Sequence, residues 1–163
     1  MLELRKFEQK DEALLVSYLN DKDLMYFLSA RIPQPYTYES ANWWINTGSK
    51  IGVVYAIIND GVLVGSVGAI PGEFEKQRTA EIGYWVARSY WGKGLASAAL
   101  NKFTHLLFEN THFIRLYASV IEGNLASARV LEKCGYKLDA VLEKAIYKNG
   151  VIFNELHYSK IRT

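Results

Sequence analysis

The sequence predicts a mixed α/β (α+β) fold, helices flanking a mixed β-sheet, on the strength of two turn signals and one crossover. Asn59-Asp60-Gly61 divides the apolar run Ile51–Ile70, and Lys148-Asn149-Gly150 separates Tyr136–Tyr147 from Val151–Lys160; each is the pattern of a tight antiparallel hairpin. Between them, Thr79–Val86, Lys93–Glu109 and Phe113–Ile121 read as strand, helix and strand, a β-α-β connection. The order β-α-α-β-β-β-α-β-α-β-β disfavours a doubly wound dinucleotide fold.

Taken in order, Leu2–Phe7 alternates apolar and polar residues as a half-buried strand does, and Glu8–Asn20 places Leu15, Tyr18 and Leu19 at helical spacing. Asp21–Ala30 reads as a second short helix, and the two prolines of Arg31–Tyr36 make the next segment a loop. A helix starting at Thr37 or Tyr38 carries Ala41, Trp44, Ile45 and Gly48 on one face, with Glu39 in the first turn where the helix dipole favours a carboxylate. Ile51–Pro71 holds one charge in 21 positions, as a membrane span would. Its central Asn-Asp-Gly, β-branched flanks and glycines fit two buried strands better. Pro71–Gln77 is a polar turn, and Thr79–Val86 is rich in the β-branched and aromatic residues that strands favour. After the loop Ala87–Gly92, Ala96, Leu100, Phe103 and Leu107 form the apolar stripe of a long amphipathic helix. Asn124–Cys134 is a helix with Asn124 as N-cap and Gly135 closing its C-terminus.

The 163 residues, 50% hydrophobic and 22% charged, fit one compact domain over 1–163. A net charge of +2 provides no field for nucleic acid or an anionic membrane, so neither is an expected partner. Cys134 has no second cysteine to pair with, and the three scattered histidines make no zinc spacing, so no metal is expected and a reducing cytoplasm is the natural compartment. The opening MLELRKFEQKDEALL lacks the apolar run of a secretory signal.

Trp85–Ala96 joins a strand, a glycine-containing turn and a helix start. Amides at a helix N-terminus point outward and the dipole adds positive potential, so small residues at Gly92, Gly94 and Ala96 suit capture of an anion. Gly92 and Gly94 would equally serve a tight turn with no ligand. A Walker A loop fits badly because Gly94 follows Lys93 where Ser or Thr is needed, and a dinucleotide loop fits badly because Ser97 stands where Gly or Ala is needed. A second constellation, Asn124-x-x-Ser127 at the head of a helix, is compatible with simple capping.

Together these residues resemble the GNAT acetyltransferase superfamily. Trp91-Gly-Lys-Gly-Leu-Ala96 is similar to its pyrophosphate motif, in the Trp-Gly-x-Gly-x-Ala form of the branch containing the ribosomal-protein N-acetyltransferases. Asn124-x-x-Ser127 followed by Val130-Leu-Glu-Lys133-x-Gly135-Tyr136 resembles that branch's second signature. The resemblance runs from the opening strand to Tyr147–Gly150 and Tyr158, and implies a splayed GNAT sheet, acetyl-CoA as cosubstrate, and entry of that cosubstrate between the strands of Glu81 and Tyr117.

It also implies roles. Backbone amides of Gly92, Lys93, Gly94, Leu95 and Ala96, with Trp91 beside them, hold the pyrophosphate; the strand Tyr84, Trp85 and Val86 pairs with the pantetheine arm; Asn124 orients it, and Ser127 contacts the cosubstrate at its sulfur. Ser127 is the candidate general acid for the leaving thiolate, whose acid has a pKa of roughly 8.5, and Glu81 the candidate base. Attack by the amine is direct, with no covalent enzyme intermediate. Ile146 falls where several relatives have a glutamate proposed as base, and Asn154 where relatives often have Asp, which leaves Glu143 and Glu155 as nearby alternatives. Tyr26, Phe27, Trp43 and Tyr147, with Tyr158, are candidate walls for the acceptor. His105, His112 and His157 have no evident partner in sequence, and Cys134 reads as core.

The expected function is acetyl-CoA-dependent N-acetyl transfer to a primary amine, a protein N-terminal α-amine or a small amine, with a homodimer as a family-level expectation. Two other readings stand beside it. A polyamine or aminoglycoside acetyltransferase would need an acidic acceptor site drawn from Glu8, Asp11, Asp21, Asp23, Glu39 and Glu81; a non-catalytic acyl-CoA sensor would bind the cosubstrate without turnover.

Overall fold

Asn59-Asp60-Gly61 forms the tight turn its residues demand, with Asp60 at φ +50° and Gly61 at φ +80°, the positive-φ pair of a type I′ hairpin. In the computed structural model, which describes residues 1–163, the strands join in the order β1-β2-β3-β4-β5-β7-β6. These are β1 Leu2–Arg5, β2 Val53–Asn59, β3 Val62–Pro71, β4 Thr79–Val86, β5 Arg115–Ile121, β6 Lys137–Lys148 and β7 Val151–Ile161. The helices are α1 Glu12–Tyr18, α2 Lys22–Met25, α3 Tyr38–Asn46, α4 Leu95–Asn110 and α5 Leu125–Lys133. No helix is long and apolar enough to cross a membrane; the apolar run Ile51–Pro71 is the β2–β3 hairpin. Two compact units are present, Met1–Gly68 with Tyr84–Ala99, and Ala69–Gly83 with Leu100–Thr163.

In the first unit β1 pairs antiparallel with β2, Leu2 opposite Asn59 and Arg5 opposite Ala56. Its core gathers Phe7, Leu15, Leu19, Leu24, Tyr36, Ala41, Ile45, Val54, Ala56, Ile58 and Leu63. The helix expected over Glu8–Asn20 begins instead with a 3-10 turn at Gln9–Asp11, because Asp11 turns inward to take both Arg5 guanidinium nitrogens (2.8 and 2.7 Å) and the Glu8 N–H (2.8 Å). The expected Asp21–Ala30 helix stops at Met25; Asp21 caps it by accepting from the Asp23 and Leu24 amides, and Leu28 and Ile32 reach the core from turns. Thr37 and Ser40 form a reciprocal capping box at the head of α3. Gly48 lies beyond α3, in a turn where a Cβ would sit 2.4 Å from Trp43 Cζ3; a glycine is required there by close approach of the ring.

In the second unit β5 is parallel to β4 over Thr79–Glu81 against Arg115–Tyr117, and antiparallel to β7 from Arg115 opposite Ile161 to Ile121 opposite Glu155. The β4–β5 register ends at the Glu81–Tyr117 pair while β5 continues to Ile121 along β7; this is the splay expected of the sheet. β6 and β7 pair antiparallel through two irregularities, one of them around Lys144, which has φ +54°. Leu116, Ala118 and Val120 alternate inward along β5, and Leu100, Phe103 and Leu107 are the buried stripe of α4. Thr104 and Tyr136, both buried, share a 2.8 Å hydrogen bond, and burial pushes the Tyr136 phenol up to about 12. Tyr136→Phe leaves the Thr104 hydroxyl without that partner, so the free energy of unfolding in urea falls by about 1–2 kcal/mol.

Candidate active site

The strand-to-helix passage lies in the first unit. Ala87 donates to Val64 O (2.8 Å) at the end of β4, and the Trp91 indole folds back to donate to Val86 O (2.7 Å), so Trp91 pins the loop with its ring half exposed. Gly92 and Gly94 both have φ +73°, and a Cβ at either would meet nothing within 4 Å. Their conformation therefore demands glycine, and the space in front of the backbone is open. The first bond of α4 runs from Ala98 N to Gly94 O (3.0 Å), and the amides from Gly92 to Ala96 make no hydrogen bond within the chain. Successive unpaired donors at a helix start fit the oxygens of a pyrophosphate. Lys93 rests 5.1 Å over the Tyr90 ring with no carboxylate partner.

The neighbouring side chains are committed elsewhere. Arg88 binds Asp21 (2.7 Å) and Asp23 (3.1 Å), tying the turn before Trp91 to the head of α2. Trp85 packs on the first unit's core and edge-on to Tyr18 at 6.3 Å. A Cβ on Gly65 would fall 2.1 Å from Trp85 O, so glycine there is what lets β3 lie so close to the backbone expected to meet pantetheine. Tyr18 donates to Leu63 O (2.9 Å), and burial beside Tyr90 pushes its phenol up to about 12. Tyr26 and Phe27 meet in a T-shaped pair at 4.7 Å, and Trp43 covers Gly48 with its other face exposed. Of the acidic set, Asp11 pairs with Arg5, Glu8 with Lys10 at 2.7 Å, and Asp21 and Asp23 share the one charge of Arg88.

In the second unit Asn124 caps α5, its Oδ1 accepting from Ser127 N (3.2 Å); the two residues are thus brought together with Ser127 half-buried. Glu81 stands in register with Tyr117, whose phenol is raised by burial and by the charges of Glu81 and Glu155. Asn154 Oδ1 accepts from Lys144 N (2.9 Å), so Asn154 holds the β6 irregularity in shape. Tyr147 is exposed, whereas Tyr158 is buried with its hydroxyl 3.4 Å from Glu132. Cys134 is buried and burial pushes its thiol up, which disfavours the thiolate a nucleophile would need.

The reading of the histidines as partnerless fails for His105, whose Nδ1 lies 2.7 Å from Asn101 O, and for His157. His157, read as partnerless, has Nε2 2.9 Å from Glu155 Oε1 and 3.1 Å from Ser119 Oγ, and its ring stacks on Tyr117 at 5.5 Å. Period-two alternation already puts Glu155 and His157 on one strand face. Ser119 and Tyr117 join them only through the β5–β7 register, for which no local signal exists.

Comparison with known proteins supplies the family. Residues 1–137 match the model of the Acetyltransferase (GNAT) domain. The uncharacterized protein YkkB of Bacillus subtilis is 34% identical over 147 residues, 88% of this chain and 86% of that protein. The crystal structure of a GNAT-family acetyltransferase from Bacillus anthracis superposes with TM-score 0.83 at 28% identity, covering 98% of this chain and 94% of that one. The ribosomal L7/L12 alpha-N-protein acetyltransferase RimL, solved in complex with coenzyme A, has the same fold, with TM-score 0.86 at 21% identity over 98% of this chain and 93% of that one. A glycine-turned helix start with unpaired amides, set in a splayed mixed sheet and matched by this family over most of its length, makes the chain a member of the GNAT family and an N-acetyltransferase.

Proposed function

We propose that residues 1–163 work as one catalytic domain that transfers the acetyl group of acetyl-CoA to a primary amine, a protein N-terminal α-amine in preference to a polyamine. The observation that carries the proposal is the run of unpaired amides from Gly92 to Ala96 in front of open space. Those amides and Lys93 bind the pyrophosphate, the backbone of Tyr84–Val86 lines the pantetheine arm, and the Asn124-capped helix start presents Ser127. Acetyl-CoA supplies the acetyl group as a thioester. Ser127 donates a proton to the departing sulfur, and a carboxylate or imidazole of the second unit takes one from the amine.

The α-amine is favoured on two grounds. With an ordinary pKa of about 7.7–8.0 against about 10.4 for a lysine-type ammonium, it needs far less help to become neutral. In the first unit Asp11 and Glu8 are paired with Arg5 and Lys10, and Asp21 and Asp23 share Arg88, which leaves little uncompensated negative charge among them for a polyamine. The fold itself does not choose, since RimL, a ribosomal L7/L12 alpha-N-protein acetyltransferase, and a spermidine N-acetyltransferase from Vibrio cholerae both share it.

The experiment is thiol release from acetyl-CoA by the purified protein against separate pools of N-terminal peptides, the same peptides Nα-acetylated, polyamines and aminoglycosides. Turnover confined to free N-terminal peptides is expected; turnover confined to polyamines or aminoglycosides overturns the acceptor class, and acetyl-CoA binding without turnover in any pool overturns catalysis in favour of a sensor. With the active pool, Ser127→Ala lowers kcat about 10-fold and leaves the acetyl-CoA dissociation constant unchanged. The effect is modest because a thiolate of pKa about 8.5 leaves with little acid assistance.

A further inference from the structure

The register of β4, β5 and β7 puts a polar set on one face of the second unit. Glu81 lies opposite Tyr117, Ser119 opposite His157 and Ile121 opposite Glu155; since partners in register share a face and residues two apart share it too, Glu81, Tyr117, Ser119, His157 and Glu155 point the same way. Leu116, Ala118 and Val120 bury the opposite face. The imidazole is held on three sides: Glu155 Oε1 at 2.9 Å, Ser119 Oγ at 3.1 Å and the Tyr117 ring stacked at 5.5 Å. The Glu155 side chain is 18% exposed and that of His157 28%, so the pair is sheltered yet reachable.

Both polar contacts fall on Nε2. A carboxylate only accepts, so the proton of the neutral ring sits on Nε2, shared toward Glu155 with Ser119 alongside. Nδ1 then carries the lone pair, and no group in the chain hydrogen-bonds to it. A carboxylate that fixes the tautomer and balances the charge of the protonated ring is the arrangement that makes an imidazole a base. The other ionisable groups around it are Glu81 on β4, Tyr117 and Arg115 on β5, and Asp139 on β6. Arg115 and Asp139 form an ion pair, so Glu81 and Glu155 leave this face net negative, as suits an ammonium.

We propose that His157, through Nδ1, is the general base that deprotonates the acceptor amine, and that Glu155 is its positioning residue. The proposal rests on the amine-acetylation reading above. The acceptor arrives as R–NH3+ and gives one proton to Nδ1. Its nitrogen lone pair then forms the N–C bond to the acetyl carbonyl as the C–S bond breaks. The sulfur leaves with the electron pair and gains a proton, the nitrogen loses its second proton in becoming an amide, and His157 returns the first to solvent. In sum, R–NH3+ and the thioester give the N-acetyl amide, the free thiol and one proton. Glu81, in register with Tyr117 on the same face, then serves to attract the ammonium.

The test compares wild type with His157→Ala, His157→Gln and Glu155→Gln, using the N-terminal peptide pool, isothermal titration of acetyl-CoA and thermal unfolding. Expected are a fall of about 100-fold in kcat/KM for both His157 variants with acetyl-CoA affinity and Tm retained, saturable partial rescue of His157→Ala by added imidazole, and loss of the acid limb of its pH–rate profile. Glu155→Gln falls about 10-fold, and the long-range 1H–15N NMR signature of the Nε2–H tautomer seen in wild type is lost. If wild type turns over and both His157 variants stay within 3-fold of it with the same acid limb, His157 is not the base; an Nδ1–H tautomer in wild type overturns the proposal as well. A wild type inactive on every amine pool overturns the acetylation reading, and the base with it.

Discussion

Replacing Gly94 with valine raises the dissociation constant for acetyl-CoA about 1000-fold and leaves the fold in place. Gly94 sits at φ +73° with nothing within 4 Å of a would-be Cβ, so the substitution meets no clash; what it meets is a backbone conformation that a β-branched residue resists by about 1–2 kcal/mol. Relief comes by rotating the peptide groups on either side, which turns the Lys93, Gly94 and Leu95 amides away from a common point. A hydrogen bond from an amide to a charged oxygen is worth about 1.5–3 kcal/mol; losing two of weak-to-middling strength costs about 4 kcal/mol, which is close to 1000-fold in affinity. Isothermal titration with coenzyme A measures it, with far-ultraviolet circular dichroism as the check on α4. Gly61→Val is the informative control, because Gly61 has φ +80° and equal space but lies in the β2–β3 turn. It bears the same backbone strain and should leave binding untouched. A Gly94→Val affinity within 3-fold of wild type would mean that the two loop glycines serve the turn alone.

The features that resist or admit reading from sequence divide along a physical line. Turns whose residues dictate their own dihedrals were legible: Asn59-Asp60-Gly61 and Asn149-Gly150 both take the positive-φ pairs expected of them, and Asn124 caps α5 through its own side chain. The turn at Gly92 and Gly94, proposed above to hold the pyrophosphate, belongs with these as a turn, since a glycine pair before an amphipathic stripe specifies a helix start by local chemistry. Elements fixed by partners far along the chain were not. The start of α1 moved to Glu12 because Asp11 answers Arg5, six residues earlier on β1, in preference to continuing a helix back to Glu8. Asn154 reads as a lost acid until Lys144, ten positions away, is seen donating to it. His157 is the sharpest case: its carboxylate is two residues off and visible in the alternation, yet Ser119 lies 38 positions away, and only the β5–β7 register makes the two neighbours. Helical spacing also misassigned Gly48, whose requirement comes from the Trp43 ring lying over it.

Asp11→Ala lowers the free energy of unfolding by about 3 kcal/mol at neutral pH, the low end of what breaking a buried ion pair costs, because the stranded Arg5 side chain retains 17% exposure. The carboxylate takes two guanidinium nitrogens and the Glu8 N–H at once, so its loss leaves three donors to find water at the β1–α1 junction. Burial by itself would raise the Asp11 carboxyl, but Arg5 and the Glu8 amide outweigh it and hold the group below the usual carboxylate range. The sign follows from linkage: a carboxyl with a depressed folded-state pKa contributes its stability above the unfolded value of about 3.9, and loses it as pH falls through the lower folded value. Urea denaturation at a series of pH values should therefore show the gap between wild type and Asp11→Ala at full size near pH 7 and shrinking below about pH 4. A gap under 1 kcal/mol, or one that does not change with pH, contradicts the assignment. The same variant decides what the charge is for. If Asp11 belonged to an acidic acceptor site, its removal would raise KM for polyamines at temperatures where the protein stays folded; a carboxylate already neutralised by Arg5 predicts a KM unchanged for every amine, with all of the effect in stability.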